Sequence, residues 1–153
     1  MLKTLIVYTH LIAACLAIGI LLLQDLAIAK TKGTALSRKA TQDLAHAADV
    51  MFMALIALWI SGLALVIIGY LNDANYIYNE KLWAKFSVVA VLTLNGILLH
   101  YFSFPRVISA KGIVGQSAFD QIAVVLTGAV SSTSWLFACF LGIARPWNHT
   151  MDY

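Results

Sequence analysis

Charge is what this sequence has least of. Only 11% of its 153 residues are Asp, Glu, Lys or Arg, while 61% are hydrophobic. A small water-soluble body needs roughly 25% charge to cover its surface, so a soluble globular domain is excluded. Proline occurs twice, at Pro105 and Pro146, and each closes an apolar run. The two cysteines, Cys15 and Cys139, lie inside apolar runs without C-x-x-C spacing. A disulfide framework, a zinc knuckle and a c-type haem attachment are therefore unsupported. No serine elbow, phosphate loop or HExxH signature of a soluble enzyme occurs. The net charge of +3 is modest and forms no nucleic-acid footprint, so no nucleic-acid partner is expected.

What is present are four apolar runs, at about 5–29, 48–71, 82–104 and 121–144. A helix needs about 20 apolar residues to cross a bilayer core. The fold expected is one all-α membrane domain, an antiparallel four-helix transmembrane bundle with short connectors. The first run reads as a retained span, because no small-residue cleavage site precedes a polar mature domain. Ser37 is a helix N-cap by type and position, and ATQDLAHAAD makes an amphipathic start to the second helix. Asn72-Asp73-Ala74-Asn75 is a turn cluster, and Tyr70, Tyr76, Tyr78 and Trp83 form an interfacial aromatic belt. Pro105 is expected to end the third span, and 109–120 to be a glycine-containing loop. Lys30, Lys32, Arg38, Lys39, Arg106 and Lys111 lie on one side, and Lys3, Lys81, Lys85 and Arg145 on the other. That bias puts the first and third connectors in the cytoplasm and both termini outside, in a bacterial inner membrane.

Ionisable groups inside spans are costly and point to function. Helical rise gives their depth. His46 and His100 fall at a common level near the cytoplasmic side, with Asn95 and Gly96 about one turn before His100. His10 lies roughly 20 Å away, toward the outer face. Two imidazoles at one depth on facing helices can ligate one haem iron. The expectation is an inner haem between His46 and His100, and an outer haem on His10 with Cys139 or His149 as extra ligand. The competing reading makes His46 and His149 solvated side chains and His100 an interhelical hydrogen-bond donor. Asp49 is placed to orient the His46 ring. Asp25 either snorkels to the interface or neutralises a basic neighbour.

His10 in span one, Asp49 opening span two, and NYIYNEKLWAKF with its W-x-K (Trp83, Lys85) together resemble a group of small four-span bacterial membrane proteins. These are similar in turn to the membrane protoporphyrinogen oxidases of haem synthesis and to the copper-resistance D-type proteins. The resemblance covers spans one to three; span four matches in hydrophobicity alone. It implies haem b binding through a pair of positions in spans one and three. His10 matches the first, and the second falls near Asn95-Gly96, with His100 further along.

The function expected is a b-type haem membrane protein, with one or two haems, for electron transfer with a quinone or redox protein. The alternatives are a porphyrinogen oxidase-like enzyme, a copper-binding membrane protein using His10, Cys15 or Cys139 and the methionines, and a cofactor-free accessory subunit. Exposed haem edges on thin helices would favour a homo-oligomer.

Overall fold

The computed structural model describes residues 1–143; Arg145, Pro146, Trp147 and His149 lie outside the described residues. Four long helices account for the architecture, with no strand among the described residues. They are α1 (Leu2–Lys30), α2 (Arg38–Asn72), α3 (Glu80–Val107) and α4 (Ala118–Ile143). All four are long and apolar enough to cross a membrane. With 35 residues, α2 is about 52 Å long, well beyond a hydrocarbon core of about 30 Å. Its polar start, Arg38 to Asp49, is the surplus.

The helices follow one another around an antiparallel bundle. The α1–α2 and α3–α4 hairpins are each packed closely, and α1 also meets α4. Large side chains bridge the α2–α3 seam: Trp59 Nε1 donates to Thr93 Oγ1 at 3.1 Å, and the Trp59 and Phe86 rings lie 6.1 Å apart. The core is made of Ala13, Ala17, Leu21, Ala54, Leu58, Leu92 and Trp135, with Ala17 fully buried. Large apolar side chains face outward, as at Leu5, Leu16, Leu23, Ile60, Leu94 and Val125. Water as solvent would reverse this distribution. Hydrocarbon permits it, because lipid tails gain nothing by expelling leucine and the helices associate through small residues instead.

Local chemistry sets the helix ends. Ser37 Oγ accepts from Ala40 N at 3.2 Å, the N-cap its sequence position predicts. Asn79 Oδ1 caps α3 through Lys81 N at 3.0 Å, and Ser117 Oγ caps α4 through Asp120 N at 3.2 Å. After α2, a short 3-10 turn, Ala74–Tyr78, is started by Asp73. Its Tyr76 ring packs on Gly69, where a Cβ would come within 2.5 Å of the ring.

Pro105 does not end the third helix. The chain opens into one π turn, Leu99–Ser103, then returns to α geometry over Phe104–Val107 with proline in the first turn. The wider turn re-registers the hydrogen bonds, so that the N–H proline lacks falls where a first turn has no use for it.

The first and third connectors are joined. Val114 N donates to Gly33 O at 3.1 Å. Gly33 (φ +78°) and Gly112 (φ +64°) both take left-handed geometry, and a Cβ on Gly112 would lie 2.6 Å from Gly33 O and Ala35 N. Only glycine fits there, because any side chain meets both the left-handed strain and a backbone wall.

Candidate functional site

A row of small or inward residues runs down α1 through Ala13, Ala17 and Leu21. His10 precedes Ala13 by three positions and so shares its face. It is half-buried, and its Nδ1 lies 2.8 Å from Ser61 Oγ on α2. Ser61 Oγ also lies 2.5 Å from Ala57 O. A hydroxyl has one proton. If the proton went to the imidazole, two oxygens would face each other at 2.5 Å with none between them. The consistent assignment has Ser61 donating to Ala57 O and His10 Nδ1–H donating to Ser61. His10 Nε2 is then the bare lone pair. Gly62 lies beside the ring: a Cβ there would sit 3.6 Å from His10 Cε1, in ordinary van der Waals contact.

Lys85 completes the constellation. Its ammonium is within electrostatic range of His10, and it lies five positions into α3, close to the membrane edge marked by Trp83, whose Nε1 donates to Ile77 O at 2.9 Å. Sequence reading treats Lys85 as an interfacial anchor and passes over Ser61 and Gly62. The available signal is a serine–glycine pair interrupting the apolar run of α2 at the level of His10.

The other candidate residues lie elsewhere. The inward face of α3 is Leu92, Asn95, Ser103 and Val107. His100 is exposed, off that face, with its ring 5.1 Å from Tyr101 and 6.5 Å from Phe104 of its own helix. His46 is exposed, one position before the buried Ala47. Among the described residues no hydrogen bond, ion pair or ring contact joins His46 to His100, or either to Asp49. Asn95 is buried and donates through Nδ2 to Thr127 O at 2.9 Å, tying α3 to α4. Gly96 has open space where its Cβ would be.

Asp25 accepts from Ser132 Oγ at 2.6 Å across α1 and α4. That bond fixes the register of the two antiparallel helices. Seven residues beyond Ser132 bring Cys139 level with Ile18, about 12 Å from the level of His10. Cys15 is exposed and Cys139 half-buried. Among the described residues no three His, Cys, Asp or Glu side chains gather as a metal-ligating group.

The site can therefore offer one oriented imidazole nitrogen, with a cation nearer the membrane edge. Searches for similarity found no match among protein-family models, curated proteins or solved structures.

Proposed function

We propose that this is a b-type haem-binding membrane protein acting in electron transfer, with His10 Nε2 as an axial ligand. The observation that carries the reading is the hydrogen-bond chain Ala57 O, Ser61, His10. Ligating histidines characteristically donate their second ring N–H to a fixed acceptor, which sets tautomer and ring orientation and raises basicity. His10 has that arrangement in a half-buried position, beside Gly62.

The donor set suits haem. A porphyrin needs one or two axial ligands from the chain rather than a cluster, and its carboxylates seek a cation toward the aqueous edge. Lys85 lies on that side of His10. Haem supplies one-electron redox chemistry when bound. The chain's own part is to hold the ring, orient the porphyrin and set its electrostatic surroundings. His149, outside the described residues, remains the candidate for the opposite axial position.

An absorption spectrum of detergent-purified protein tests this. A Soret band that is present in the parent and missing from His10→Ala, with helix content unchanged, is the expected result. A colourless parent that stays colourless after haem addition overturns it.

The nearness of Lys85 to His10 also favours a second reading, a porphyrinogen oxidase-like enzyme that binds an anionic tetrapyrrole as substrate. Rescue of a strain lacking that oxidase separates the two. Copper in place of haem would show in metal analysis of the same preparation.

A further inference from the structure

At the end carrying the first and third connectors, the α3–α4 seam opens into a groove of about 360 Å³. Leu98, Phe102, Phe119, Ile122, Ala123, Leu126 and Thr127 line it; the Thr127 hydroxyl is taken up by Ser103 Oγ at 2.7 Å and the Ala123 carbonyl at 2.9 Å, so the walls are apolar. It lies between two helices that are each long and apolar enough to cross a membrane. An apolar groove at that depth is not a place for water.

The rim has a different chemistry. The Arg106 guanidinium lies 3.4 Å from the centroid of the Phe102 ring, which is itself part of the groove wall. Its Nε donates to Asp120 Oδ1 and its Nη1 to Phe102 O, both at 2.7 Å, and neither bond uses Nη2. Ser117 Oγ donates to the other Asp120 oxygen at 2.7 Å, so the carboxylate is held on both sides. Lys111 is exposed in the connector that joins the two helices. With Arg106 and Lys111 against Asp120, the connector and the two helix ends it joins carry an excess of one positive charge at the end of the bundle where the groove lies.

We propose that the groove and its rim bind one anionic phospholipid, with an acyl chain along the groove and the phosphate at Arg106 and Lys111. The charge is what selects the occupant. A zwitterionic lipid can fill the same apolar walls but gains nothing net from the rim, whereas an anionic headgroup gains about fivefold per surface cation. Charge-assisted bonds from a guanidinium already oriented by Asp120 add directionality. The groove lies at the opposite end of the bundle from His10, so this inference does not depend on haem.

The test uses the full chain, delipidated and returned to micelles containing equal amounts of phosphatidylglycerol and phosphatidylcholine, with bound lipid counted by native mass spectrometry. The parent is expected to retain one phosphatidylglycerol in preference to phosphatidylcholine. Lys111→Gln should lower that preference about fivefold. Ala123→Phe, which fills the groove, should remove retention of both lipids, and Ile122→Trp serves at an exposed position should the first variant fail to assemble. Equal retention of the two lipids by the parent overturns the proposal. So does undiminished phosphatidylglycerol on a folded groove-filled variant.

Discussion

At the end of the bundle that carries the first and third connectors, backbone meets backbone. Gly33 accepts from Val114, Gly112 is pressed against Gly33 and Ala35, and Arg106 is fixed between Asp120 and the Phe102 carbonyl. At the other end, the notable contacts belong to side chains: His10 on Ser61, Trp83 on the Ile77 carbonyl, and Lys85 within range of His10. The first arrangement resists change, since every participant is held by its neighbours. The second leaves a ring nitrogen available. Connector contacts hold the first end together, and the proposed haem ligand sits toward the other.

The largest expected effect tests the secured end. Gly112→Val adds a branched side chain at φ +64° where even a Cβ meets backbone at 2.6 Å. Left-handed strain alone costs about 1–3 kcal/mol, and the steric conflict adds to it. A loss of monodisperse protein on size exclusion in detergent is expected, and a parent-like elution profile and melt would remove the connector lock from the account.

Ser61→Ala sharpens the other side. Removing the acceptor frees the His10 tautomer while leaving the imidazole in place, so haem affinity should fall about 10–100-fold with thermal stability little changed. Titration of the apoprotein with haem reads this directly. An unaltered affinity would mean that the serine does not orient the ring. Ser37→Ala should cost about 1 kcal/mol through the lost α2 cap, visible as a small downward shift of the melting midpoint. The smallest effect belongs to His46→Ala and His100→Ala. Both side chains are exposed, and the haem-to-protein ratio should stay at the parental value in each.

The parts of this structure legible in the sequence are those governed by local pattern. Apolar length announces four helices, and Ser37 announces a cap. Depth is readable too, because rise per residue is constant. Azimuth is harder. His46 and His100 share a level, but His46 stands one residue before the buried Ala47 on α2, and His100 lies in the π turn between Asn95 and Ser103 with its side chain exposed. His10 lies in register with Ala13 and Ala17, but His100 precedes the buried Ser103 by the same three positions, with a π turn changing the angle between them. What the sequence hides is contact between distant segments. Nothing local links Gly33 to Gly112, or Ser61 to His10. The π turn before Pro105 is hidden for another reason: proline forbids one hydrogen bond without dictating how the chain re-registers.

The most direct test is a reduced-minus-oxidised difference spectrum of the purified protein, with haem and protein quantified, for the parent and for His10→Ala. A b-type signal at a defined haem ratio is expected in the parent, and its loss in the variant. A signal that survives His10→Ala and disappears instead with His46→Ala or His100→Ala would contradict that expectation.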